Sequence, residues 1–240
     1  MSSNPFATPR ASADLEDDSG PIPHRGPVKA DLRPIELLKR GKDLISDQYW
    51  TFFGVTGLGI LVGSAAPFGI ILGPMMCGMY LCLVRKARGD DSVTVNDLFK
   101  GFDFFKQGFI AMMIGTVAIL LAIVPFMIAL VVTIRSDPDS FIAVLLSMYA
   151  AIFALSMLVN VFMMFAFPLI VDRGYTAIDA LKTSFRAAKM NLGGLLLLSL
   201  TSAVAGLVLA LMCYVPAFLF MPVSFAAFTL AYLEIFPDAE

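Results

Sequence analysis

Three basic side chains recur at helical spacing in one polar stretch of this 240-residue chain: Lys182, Arg186 and Lys189. Spacings of four and three residues place them on one face of a helix. Leu181 and Phe185 are apolar neighbours able to enter the boundary between lipid headgroups and acyl chains. Cationic side chains near that boundary attract anionic headgroups. The pattern therefore predicts a helix that binds anionic lipid headgroups at a membrane surface.

The helix that carries these charges has a predicted beginning. Thr176 and Asp179 have the spacing of a capping box, in which each side chain satisfies a backbone N–H at the helix start. From there Ile178, Leu181, Phe185 and Ala188 recur at the period of an amphipathic helix, with the basic residues on another face. The stretch has too few apolar residues to span a bilayer, so we predict an interfacial helix. A water-exposed loop helix with one apolar face is the alternative.

Two earlier stretches share this design. Thr94 and Asp97 repeat the capping pattern, and Lys100 and Lys106 are further candidates for headgroup binding. The apolar face of this stretch consists of Leu98, Phe99, Phe102 and Phe105. A weaker copy begins at Glu36, and the three copies share the tetrapeptides ELLK, DLFK and DALK. An acid three residues before a lysine is common on helices, so chance similarity is the alternative.

Residue types that carry catalysis are missing from the long apolar runs. These runs contain no Asp, Glu, Lys, Arg or His, although ion-coupled transport and intramembrane catalysis usually need such groups. The histidine His24 lies in a polar stretch, and Cys77, Cys82 and Cys213 lack metal-site spacing. Asn160 is the one strongly polar side chain of its run, which interhelical hydrogen bonding would explain. We predict no catalytic residue, no metal site and no cofactor.

The composition is that of an integral membrane protein. Hydrophobic residues make up 58% of the chain and charged residues 15%, with a mean hydropathy of +0.82. Soluble domains are roughly 45–50% apolar and about 25% charged. We expect membrane lipids as partners, together with a protein partner or a second copy of the chain, and no nucleic acid.

Charge-free runs divide the chain into an all-α membrane bundle. We predict a disordered cytoplasmic tail at residues 1–30, a six-span membrane domain at residues 31–236 and a C-terminal tail at residues 237–240. The run at residues 48–84 is far too long for one crossing of a bilayer core about 30 Å thick. It predicts two short spans, with a re-entrant hairpin as the alternative.

The distribution of basic residues predicts the orientation. Of 17 Lys and Arg residues, seven precede the first span, five lie at residues 85–106 and four at residues 173–189. Arg135 alone falls on the opposite side. Positive loops stay in the cytoplasm, so we expect a multi-pass inner-membrane protein with both termini inside. Each unit is one interfacial helix and two spans, and three such units form a degenerate repeat about an axis along the membrane normal.

Several short motifs resemble a known group of proteins. They are Gly73-Pro74, residues 95–102 (VNDLFKGF), residues 222–227 (PVSFAA) and Tyr232. Over residues 32–236 the chain resembles a bacterial family of six-span membrane proteins of unknown function. It is also similar to the membrane domain of some glycerophosphoryl diester phosphodiesterases. The resemblance implies a multi-pass membrane module and transfers no catalytic residue, because the chain has no room for a phosphodiesterase barrel.

Three functions fit these features. We favour a non-enzymatic membrane protein that organises lipids or partner proteins through its basic interfacial helices. A transporter or channel for a neutral or apolar solute, with a pathway lined by Gly, Ser, Thr and Asn160, is the alternative. A membrane-embedded enzyme acting on lipid is the third reading.

Overall fold

Helices account for all the regular structure in this computed structural model, which describes residues 26–65, 70–136, 141–212 and 214–237. The all-α prediction is confirmed for these residues. The α-helices are α1 Pro34–Ile45, α2 Tyr49–Ala65, α3 Leu72–Ala87, α4 Phe105–Ser136, α5 Phe141–Met163, α6 Ala166–Arg173, α7 Ala177–Met190, α8 Leu192–Met212 and α9 Tyr214–Ile235. Two 3-10 helices cover Ser46–Gln48 and Val95–Phe104. Most of the predicted N-terminal tail lies outside the described residues.

Within the described residues, four helical stretches are long and apolar enough to cross a membrane. They are Val95–Thr133, Phe141–Arg173, Leu192–Met212 and Tyr214–Ile235, with mean hydropathy between 1.7 and 2.7 in their most apolar windows. The membrane assignment made from composition therefore holds. The prediction of six spans is not confirmed, because α2 has 17 residues and α3 has 16, fewer than the roughly 20 that a full crossing needs.

The four long stretches differ in what surrounds them. Two of the stretches, Val95–Thr133 and Phe141–Arg173, include α4 and α5. In the most apolar window of each, 6% of the residues are buried within the protein. In the α9 window 44% are buried. Exposed apolar side chains such as Leu121 on α4 and Leu146 on α5 therefore form an outer apolar wall of the kind that lipid would cover, whereas α9 belongs to the packed interior.

Helix α3 lies at the centre of the fold. It packs against α2, α4, α6, α9 and the Val95–Phe104 helix. Close approach depends on glycine: a Cβ atom on Gly78 would overlap the backbone oxygen of Leu98, and one on Gly101 would overlap that of Pro74. Tyr80 contributes a ring stacked on Phe167, with centroids 6.5 Å apart. These contacts pack the Val95–Phe104 helix and α6 against α3 in one core.

The α2–α3 hairpin ends near the base of α4. The two helices run antiparallel, with Gly63 of α2 against Leu72 of α3. The next residue, Gly73, is in backbone contact with Gly108, three residues after α4 begins. Helix α4 continues to Ser136, about 40 Å beyond Gly108 at 1.5 Å per residue. The hairpin therefore does not accompany α4 along most of its length.

The start of the described chain is hydrogen-bonded to the helices. Val28 N–H donates to the Ile235 carbonyl at 2.9 Å. The Asn191 side chain accepts from Ala30 N–H at 2.9 Å and donates to the Val28 carbonyl at 3.0 Å. Residues 28–30, which the sequence placed at the end of the disordered tail, thus belong to the folded domain.

A short helix precedes two apolar helices three times along the chain. Helix α1 precedes the α2–α3 hairpin, the Val95–Phe104 helix precedes α4 and α5, and α7 precedes α8 and α9. The order of elements is the one that the predicted repeat requires. The threefold relation itself remains a prediction.

Candidate functional site

Helix α7 is held against the bundle by small residues. Gly174, with a φ of 65° in the left-handed region, ends α6 and turns the chain into α7. The buried side of α7 consists of Ala177, Ala180, Ser184, Ala187 and Ala188. Ser184 is the polar contact on this side: its hydroxyl donates to the Phe162 carbonyl at 2.7 Å and accepts from Phe165 N–H at 3.2 Å. The sequence pattern of large apolar residues did not reveal this face.

The large apolar residues of α7 lie instead on the exposed side with the basic ones. Ile178 is 54% exposed and Phe185 44% exposed. Lys182, Arg186 and Lys189 are exposed beside them, and Lys189 Nζ lies 4.9 Å from the centre of the Phe185 ring. We call these five residues the basic face of α7. The predicted apolar side of the helix is therefore corrected: Leu181 is half-buried, and Ala188 is buried on the opposite side from Ile178 and Phe185.

The beginning of α7 is fixed by the residues that the sequence indicated. Asp179 N–H donates to Thr176 Oγ1 at 3.3 Å, and the Thr176 hydroxyl donates to Asp179 Oδ2 at 2.7 Å. Ala177 N–H donates to Gln107 Oε1 at 2.8 Å. This last bond places the start of α7 beside the base of α4, where Lys106 is also exposed.

The Val95–Phe104 segment has the predicted cap but not the predicted helix type. Thr94 and Asp97 form a reciprocal capping box, in which Asp97 Oδ2 accepts from Thr94 N–H at 2.8 Å. The helix is 3-10, not α. Lys100 lies 2.5 Å from Asp97 Oδ1, so its charge is already paired within the protein. Of the two lysines proposed for headgroups here, Lys106 is the better placed.

Aromatic side chains are exposed along this segment. Leu98 is fully buried under α3, whereas Phe99, Phe102 and Phe105 are between 39% and 46% exposed. The Phe102 and Phe105 rings stack with centroids 6.4 Å apart. Exposed aromatic rings beside Lys106 form a second surface with the chemistry of the basic face of α7.

Ion pairs gather at the C-terminal end of α3. The side chain of Lys86 is 5% exposed, and its ammonium group pairs with Asp47 at 2.5 Å and Asp91 at 2.6 Å. Arg85 pairs with Asp90 at 2.6 Å. The hydrogen bond from Lys86 lowers the pKa of Asp47. The acidic partners of Lys86 are 54% and 77% exposed, so these charges form an ionic edge at the surface of the fold.

Asp90 is held ionised by local donors. Ser92 donates to its carboxylate through both the hydroxyl, at 2.6 Å, and the backbone N–H, at 2.9 Å. These bonds, followed by the bond from Arg85, lower the pKa of Asp90 to about 2. The loop between α3 and the Val95–Phe104 helix is thereby fixed in one conformation.

No family model matches this chain. The curated proteins and the solved structures contain no match to it either. We therefore infer function from its residues and their geometry. The resemblance to bacterial six-span membrane proteins remains a prediction.

Several polar residues of the membrane-length helices line a cavity. Asn160 lies in the wall of a cavity of about 540 Å³ between α5, α8 and α9. Ser199 and Ser202 of α8 line the same cavity. The sequence explained Asn160 by hydrogen bonding between helices, but within the described residues its amide bonds to no other group. In the same part of the chain, no group of three or more His, Cys, Asp or Glu residues is arranged to hold a metal ion.

Proposed function

We propose that this chain is a non-enzymatic protein of the bacterial inner membrane that organises anionic lipids through its basic interfacial helices. The basic face of α7 is the observation that carries the proposal. Ile178 and Phe185 expose apolar surface beside Lys182, Arg186 and Lys189, an arrangement that is unfavourable in water and favourable at the headgroup boundary.

The magnitudes fit a positioning role. Each basic residue near an anionic surface contributes about 1 kcal/mol, so the three on α7 together contribute about 3 kcal/mol. The membrane-length helices already keep the protein in the bilayer. The basic face therefore sets the height and orientation of α7, and it enriches anionic lipid beside α4 and α5.

The proposed topology keeps both termini in the cytoplasm. The distribution of basic residues supports this orientation, and α4, α5, α8 and α9 supply four full crossings. For the α2–α3 hairpin we propose the re-entrant alternative. Its short helices and the contact of Gly73 with Gly108 favour it over two further spans. Either arrangement leaves the termini on the same side.

A transporter or carrier of a neutral solute is the second candidate function. The cavity lined by Asn160 favours it, because a polar-lined space inside the membrane is where such a solute would bind. A protein partner, or a second copy of the chain, would find its docking surface on the exposed wall of α4 and α5. The two functions are compatible, since the basic face and the cavity use different residues.

Lipid retention by the whole protein tests the first function. The full chain, reconstituted with equal phosphatidylglycerol and phosphatidylcholine, is released for native mass spectrometry. Replacing Lys182, Arg186 and Lys189 with Gln should remove most of the retained phosphatidylglycerol. The matched control, Lys182→Arg with Lys189→Arg, keeps the charges and should retain it. Equal retention of phosphatidylglycerol by the Gln variant and the unaltered protein would contradict the proposal.

A further inference from the structure

The cavity between α5, α8 and α9 has the size of a ligand site. Its volume of about 540 Å³ lies within the roughly 300–1,000 Å³ typical of small-molecule pockets. Phe153, at its rim, is 58% exposed, so the cavity opens sideways between membrane-length helices. A molecule dissolved in the bilayer can reach it without passing through water.

Two serines in the wall of this cavity have hydroxyl groups without a hydrogen-bond partner among the described residues. Ser199 and Ser202 are each 8% exposed, and both hydroxyl oxygens are buried without a hydrogen bond to the described residues. A hydroxyl on a helix usually donates to the carbonyl four residues earlier. Thr201, between them on α8, does so to Leu197 at 2.7 Å. Buried polar groups without partners are rare and costly, so these two donors point to a missing acceptor.

The rest of the wall determines the charge of the occupant. Its other polar groups include Ser156 and Asn160, and the remaining surface is mostly Phe, Met and Ala. None of its described lining residues is charged. Ser224 lies eight residues, or about 12 Å, along α9 from Tyr232, whose hydroxyl bonds to the Asp172 carboxylate. An ionised group would lose its hydration there without gaining a counter-charge.

We propose that this cavity binds an uncharged fatty acyl ester. The apolar walls take the acyl chain, and the Ser199 and Ser202 hydroxyls donate to the ester carbonyl oxygen, whose two lone pairs can accept both bonds. The occupant has to offer an acceptor, because neither hydroxyl donates to a described helix carbonyl as Thr201 does to Leu197. This site is independent of the proposed headgroup binding by α7.

Photolabelling of the full chain in phosphatidylcholine nanodiscs tests the site. Three probes carry the same long chain, diazirine and alkyne, and end in a methyl ester, a methyl group or a carboxylate kept ionised at alkaline pH. One hydrogen bond is worth roughly twofold to tenfold in binding, so the ester should label α5, α8 and α9 several-fold more than either other probe. Unlabelled ester should compete.

Variants distinguish labelling that depends on the serine hydrogen bonds from labelling that depends only on the hydrophobicity of the probe. Ser199→Ala with Ser202→Ala should reduce the preference for ester over alkane to near one, without lowering the thermal midpoint, because unpartnered hydroxyls are removed. Thr201→Val is the matched control and should keep the preference. Ala203→Phe, which fills the cavity, should abolish labelling by both ester and alkane.

Two results would overturn the assignment. One is an ester preference that the double serine variant retains in full, or that the unaltered protein never shows. The other is occupation of the cavity by a second copy of the chain. This would appear as cross-links between protomers from a photoreactive residue in place of Phe153, and added ester would not reduce them.

Discussion

The Tyr232 hydroxyl donates a hydrogen bond to Asp172 Oδ2 at 2.7 Å. Arg88 pairs with the other oxygen of the same carboxylate at 2.9 Å, and the Asp172 side chain is 3% exposed. One carboxylate thus joins α9, the end of α6 and the residue that follows α3. These three elements therefore meet at one end of the bundle.

Tyr232→Phe should destabilise the protein. A hydrogen bond to a charged group contributes about 1.5–3 kcal/mol, and the variant leaves a buried carboxylate with one donor fewer. The midpoint of thermal unfolding in mild detergent measures the effect. Tyr149→Phe is the matched control, since Tyr149 is 63% exposed on α5. Equal midpoints for the two variants would show that the bond to Asp172 contributes nothing.

Gly78→Ala should disrupt the contact between α3 and the Val95–Phe104 helix. The added Cβ meets the backbone oxygen of Leu98, which cannot move aside as a flexible side chain could. Overpacking of this kind costs about 1–3 kcal/mol or more. Gly57→Ala on α2, where the new Cβ meets nothing within 4 Å, should instead stabilise the helix by up to about 1 kcal/mol. Unfolding midpoints of both variants, compared in the same detergent, decide the matter.

The ion pairs at the end of α3 should weaken in strong acid. The pKa of Asp90 falls from an ordinary 3.8 to about 2 in the folded protein, so its stabilising effect is present above pH 4. That effect is lost as the pH falls from 4 towards 2. Asp90→Asn should therefore lower the unfolding midpoint at neutral pH and lose most of its difference from the unaltered protein near pH 2.

Ser92→Ala provides the internal check on this pH dependence. It keeps the carboxylate but removes the hydroxyl bond that contributes most to the lowered pKa. The fall in its unfolding midpoint should begin at the same pH, near 4, which the unfolded carboxyl sets, but it should be smaller and end at a higher pH than in the unaltered protein. An unchanged acid profile in both variants would contradict the role given to this loop.

Cysteine labelling in intact cells distinguishes the two topologies. In a variant with Cys77, Cys82 and Cys213 replaced by Ala, a cysteine replacing Ser140 should react with an impermeant maleimide added outside, and a reporter fused after Glu240 should report the cytoplasm. For a re-entrant hairpin, Ser64→Cys should stay unlabelled from outside. Labelling of Ser64→Cys at the level of Ser140→Cys would instead support six full spans.

The sequence predicted the helical class and the caps at Thr94 and Thr176, because these depend on local periodicity and spacing. It did not distinguish the α2–α3 hairpin from two spans, since the core of a protein is as apolar as lipid. Met75 and Leu83, for example, are fully buried by protein. Hydropathy responds to the apolar character of such residues and not to what surrounds them.

The candidate sites were predicted in part for a similar reason. The basic residues of α7 were visible from their spacing, but the face that docks the helix consists of small residues such as Ala180 and Ala187, which carry little hydropathy signal. The Asn191 side chain bonds to Val28 and Ala30, which lie more than 160 residues earlier in the chain. A contact of that separation leaves no local pattern in the sequence.

A single tryptophan in place of Phe185 measures the central claim most directly. In a Trp50→Phe background it becomes the one tryptophan of the full chain. In nanodiscs containing phosphatidylglycerol, we predict quenching by lipids brominated near the headgroup end of the acyl chain. High salt, or Gln at positions 182, 186 and 189, should weaken this quenching, because both reduce attraction to the anionic surface. Quenching by aqueous iodide but not by brominated lipid, whatever the headgroup, would contradict an interfacial α7.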